Sequence, residues 1–83
     1  MDIEHLVKMA NQIGDFFDGE PDKELAAKEV VSHLKRFWAP TMRQQLIDYS
    51  KSHNAEGLRP LVKTAVEIVA KDMSTKAAYL IVG

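Results

Sequence analysis

His33-Leu34-Lys35-Arg36-Phe37-Trp38-Ala39-Pro40-Thr41-Met42-Arg43 carries the chain's only tryptophan two residues before a proline, with three cations around it. A proline cannot continue the helix that precedes it, yet it fits the first turn of one that follows, so Pro40 marks a corner between two helices. Trp38 continues the apolar stripe of the helix entering that corner, which makes it a core residue before it is an interface anchor. Phe37 stands on the flank of the same stripe.

Working outward, the hydrophobic pattern predicts an all-α bundle of four helices, near residues 2–17, 21–38, 40–52 and 58–72, within a single domain of residues 1–83. Ile3, Leu6, Val7, Ala10, Ile13, Gly14 and Phe17 share one face of the first helix. His5, Met9, Gln12 and Phe16 form a second stripe turned roughly 130° away, so apolar character wraps further than one core requires. Glu4, Lys8, Asn11 and Asp15 take the remaining face. In the second helix Ala27, Val30, Val31, Leu34 and Trp38 point inward, with His33 at the edge of the stripe.

The third helix starts with Pro40 in its first turn or with Thr41 as cap and Gln44 three residues on; Met42, Leu46 and Tyr49 are its expected inner face. Leu58, Leu61, Val62, Ala65, Ile68 and Val69 play that part in the fourth. The apolar segment Ala77-Ala78-Tyr79-Leu80-Ile81-Val82 is costly to leave in water, at roughly 1.5–3 kcal/mol for each large side chain, and is expected to dock as a short fifth helix capped by Ser74 or as an extended piece.

Composition narrows the function classes. A net charge of −1 leaves no broad footprint for nucleic acid. No apolar run reaches the roughly 20 residues that span a bilayer, and the N-terminus lacks the pattern of a secretory signal, so a cytoplasmic location is expected. With no cysteine, thiol catalysis, disulfides, Fe–S ligation and cysteine-based zinc sites are excluded. His5, His33 and His53 are scattered in sequence, and the four glycines are isolated, so neither a zinc motif nor a phosphate-cradling loop is legible. No catalytic, cofactor or metal residues are assigned.

Leu6-Val7-Lys8-Met9-Ala10-Asn11-Gln12-Ile13-Gly14-Asp15-Phe16-Phe17, then His33-Leu34-Lys35-Arg36-Phe37-Trp38, Pro40, Met42-Arg43 and Leu46, and lastly Gly57-Leu58, Pro60-Leu61 and Ala65-Val66 form an ordered set. This set resembles the delta subunit of the soluble NAD-dependent molybdenum formate dehydrogenases. One departure is Ala39, where that family often has an aspartate before the proline; another is the apolar tail after Asp72. The resemblance implies a non-catalytic accessory subunit of a cytoplasmic complex that oxidises formate. It also implies that molybdopterin guanine dinucleotide, the Fe–S clusters and the flavin belong to partner subunits, and that this chain binds the large molybdenum-containing one. The rival expectation is a free-standing homodimeric helical protein with a regulatory or scaffolding role.

His5, Met9, Gln12 and Phe16 of the first helix and Arg36, Phe37 and Arg43 at the corner are the expected partner-binding residues. They lie off the main core stripes and include aromatics, Met and Arg, the types enriched at interface centres. On this reading Arg43→Ala leaves the fold nearly intact.

Overall fold

The computed structural model describes residues 2–82, with side chains as far as Asp72. Four helices are present, α1 (Ile3–Phe17), α2 (Lys23–Phe37), α3 (Pro40–Ser52) and α4 (Pro60–Val82), and the described residues contain no strand. The all-α reading therefore holds, with shifted ends that have local causes.

Asp2 caps α1 by accepting the Glu4 N–H. Asp22 does the same for the N–H groups of Glu24 and Leu25, so Pro21 and Asp22 lie outside α2 rather than in its first turn. At the other end Trp38 is the C-cap, with extended backbone. Pro40 opens α3 behind Ala39, whose side chain gives no cap hydrogen bond; Thr41 is inside the helix, and Gln44 instead bonds Asp48 at 2.9 Å. Ala39→Asp is expected to supply the missing cap, raising stability by about 1 kcal/mol and the melting temperature by roughly 4–8 °C, as thermal denaturation would show.

Between α3 and α4 the chain turns through three positions of positive φ. Asn54 and Ala55 adopt left-handed backbone, with φ of 53° and 56°. The Ala55 N–H reaches back to the Ser50 carbonyl at 2.9 Å, the six-to-one bond of a Schellman ending. Gly57, at φ 82°, completes the reversal. Leu58 and Arg59 belong to this loop, so α4 begins at Pro60 and not at residue 58.

The expected break near residue 72 is absent. α4 runs through to Val82, in place of a fifth helix or an extended piece, while the side chains of the apolar tail lie outside the described residues.

Leu6, Ala10, Val30, Leu34, Leu46, Val62, Ala65 and Val69 form the centre of the core, each almost fully buried. Trp38 is buried beside them. α1 touches all three other helices, and α2 packs most extensively on α4. Gly14 permits the closest approach: a Cβ there would sit 2.5 Å from Cγ2 of Val62.

Two inward assignments change. Ile47 joins Leu46 in the core of α3, while Met42 and Tyr49 are half-buried. In α4, Val66 is buried and Ile68 is exposed, because Ile68 falls roughly 110° from the centre of the Val62, Ala65, Val66, Val69 stripe at 100° per residue.

Candidate binding groove

Phe16, Phe17, His33 and Phe37 stand in a row across α1 and α2, with successive ring centroids 5.0, 6.4 and 4.7 Å apart. The first two contacts are edge-to-face, the favourable geometry for aromatic quadrupoles. The outer members of the row face water: Phe16 is 80% exposed and Phe37 71%. Solitary exposed apolar residues are ordinary, but here they rim one concavity.

That concavity is an open groove of about 470 Å³. α1 supplies one wall through Met9, Gln12, Ile13 and the two phenylalanines, α2 the other through His33, Phe37 and Trp38, and Met42 of α3 closes an end. Gln12 and His33 are the polar side chains of the lining, so it can accept a large apolar surface and little hydrogen bonding. Phe17, His33 and Phe37 are shared with an adjoining hollow of about 240 Å³ that Glu29, Ser32 and Arg36 complete.

Four of the seven residues singled out in the sequence, Met9, Gln12, Phe16 and Phe37, thus meet in the groove. Arg36 faces the adjoining hollow. His5 is exposed on α1, one turn before Met9, and is not part of the lining.

Arg43 has a different task. Its Nη1 donates to the carbonyls of Trp38 at 2.7 Å, Leu34 at 3.1 Å and Lys35 at 3.2 Å, which closes the C-terminus of α2 with a cation. These bonds tie Arg43 to the fold, so a loss of stability on Arg43→Ala, rather than a nearly intact fold, is the expected outcome. Periodicity assigns Ile13, Phe17 and Met42 to the core alone, and Trp38 to the core before an interface, because it gives each side chain one face while these touch both core and groove.

Asn11, on the remaining, polar face of α1, is a structural clamp. Its Nδ2 donates to the Gly57 carbonyl at 2.8 Å, and its Oδ1 accepts the Arg59 N–H at 3.0 Å. The Arg59 guanidinium then pairs with Asp15 one turn further along α1. Tyr49 holds the same loop from α3 through its hydroxyl, which donates to the Glu56 carbonyl at 2.9 Å. Lys35 pairs with Asp72 and ties α2 to α4.

The remaining histidines are spoken for or solitary: His53 stacks on Tyr49, with centroids 4.7 Å apart. Among the described residues no group of three or more His, Asp or Glu side chains is placed to hold a metal ion. Nor is any described helix long and apolar enough to cross a membrane.

Fold and groove define a small all-α protein that carries an exposed aromatic recess on a well-packed core. The sequence model of the NADH-dependent formate dehydrogenase delta subunit FdsD matches residues 5–66, a stretch that contains α1 from its third residue, all of α2 and α3, and every residue lining the groove. The chain belongs to this family, and is a delta subunit of an NAD-dependent formate dehydrogenase complex. No curated protein and no solved structure matches it.

Proposed function

We propose that the chain is a non-catalytic accessory subunit that binds the molybdenum-containing large subunit of the complex through the aromatic groove, and supports its assembly, cofactor retention or stability in the cytoplasm. Molybdopterin guanine dinucleotide, the Fe–S clusters and the flavin reside in the partner subunits on this reading, in keeping with a chain that has no cysteine to offer. The observation that carries the proposal is the exposure of Phe16 and Phe37 on the rim of one apolar groove, where most other large apolar side chains among the described residues are covered. Aromatics in that position are the usual anchors of an interface.

Phe37→Ala tests it. The ring is largely outside the core, so the variant is expected to keep its helix content and melting temperature within a few degrees. Binding to the large subunit should fall by about 2 kcal/mol, the loss typical of a central anchor, measured by titrating the chain into complex purified without its delta subunit. Unchanged affinity would move the interface elsewhere on the molecule. Loss of self-association instead of subunit binding would favour the homodimeric reading.

A further inference from the structure

Resting on that reading, we infer that the segment seated in the groove is an amphipathic helix of the large subunit, two to three turns long, which presents a carboxylate to Arg36 and a cation to Glu29. Three features of the surface lead there. The first is the lack of backbone partners. The walls are helices whose N–H and C=O groups are bonded internally, so an added strand would find no edge to pair with, and its own polar backbone would be left unsatisfied. Gln12 and His33 are too few to serve an extended or polyproline segment, whose carbonyls also need donors. A helix satisfies its backbone itself and offers only side chains, which is what an apolar groove can receive.

The second feature is length. The α1 wall extends from Met9 to Phe17, about 12 Å at 1.5 Å per residue. Apolar anchors at i, i+4 and i+7 of a partner helix span about 10.5 Å and fill it.

The third is charge. Glu29 and Arg36 lie in the hollow that continues the groove, and neither makes an ion pair among the described residues, in contrast to the four pairs formed elsewhere. They are seven residues apart on α2, two turns along one face and about 10.5 Å in rise. A helix laid beside α2 therefore meets complementary charge only if it carries an acid at one end and a base two turns away. That pattern sets the register and direction in which it docks.

The experiment uses the chain and the formate dehydrogenase complex purified without it. A photo-crosslinking residue at position 37 should join to a helical segment of the large subunit with this apolar and charged pattern. Arg36→Glu and Glu29→Lys should each weaken binding at low salt by about tenfold or more, with helix content unchanged, whereas Arg36→Lys retains most of the affinity. Crosslinks to an extended or proline-rich segment, to another subunit or to a second copy of this chain overturn the inference, as do charge reversals that bind like wild type. In those cases continued binding of the wild-type chain leaves the accessory-subunit reading standing; absence of any wild-type binding overturns both.

Discussion

Replacing Gly14 with valine is expected to cost about 3 kcal/mol of stability, or roughly 12–24 °C in melting temperature for a domain of this size. The cause is the crossing of α1 over α4, where even a Cβ at position 14 would stand 2.5 Å from Cγ2 of the fully buried Val62. Neither helix can retreat without opening the core on its far side, where Leu6 and Ala10 are completely covered. Alanine at the same position gains about 1 kcal/mol in helix propensity and loses a similar or larger amount to crowding, so Gly14→Ala falls between wild type and valine. A double-mutant cycle with Val62→Ala separates the terms, since removing the γ methyls vacates the contested space. The coupling should be favourable by about 1–2 kcal/mol. Denaturant titration followed by the fluorescence of Trp38 measures all of these, and a valine variant as stable as wild type would mean the crossing is looser than described.

The second large effect is expected at Arg43. Alanine there leaves the carbonyls of Trp38 and Lys35 without their cation, and should lower stability by about 2 kcal/mol, in the range for hydrogen bonds to a charged group. Lysine keeps the charge, but its shorter, flexible stem does not carry the ammonium to the place that the planar guanidinium gives Nη1, so Arg43→Lys recovers only part. The change should appear in Trp38 emission before global unfolding, because the tryptophan's own carbonyl is the closest acceptor. If Arg43→Ala melts like wild type, the three contacts carry no stability and the residue returns to the candidate interface.

A sequence pattern contains only part of this: Gly14 falls on the core face of α1 as its spacing predicts, whereas the bonds of Arg43 leave no trace in it. Helix number and type were legible, because spacings of three and four repeat along every helix and Pro40 breaks the run at a fixed point. Ends were less so: they depend on which nearby oxygen wins the free N–H groups, and Asp22 competes better than the proline before it suggested. Asn11 sits on the polar face of α1, and Arg43 on a side of α3 that periodicity leaves open to a partner. Each instead bonds backbone brought in by the fold, from residues 57–59 in one case and from the end of α2 in the other. The groove was half legible. Met9, Gln12, Phe16 and Phe37 stood out as positions off the core stripe, whereas the depth between them depends on the angle at which α1 crosses α2, which no spacing encodes.

The corner that joins α2 to α3 also bears on how fast a partner can be captured. Trp38 and Ala39 are extended, with ψ near 138° and 149°, and Pro40 bars Ala39 from the helical alternative. Two residues with so little freedom, braced by Arg43 across them, act as a rigid bracket, and both the Phe37 wall and the Met42 end of the groove are mounted on it. The recess is thus already open in the free subunit. On the proposed reading an incoming segment would meet a finished surface, encounter would be limited by orientation and by the partner's own ordering, and the backbone here should move by no more than about 1 Å on docking.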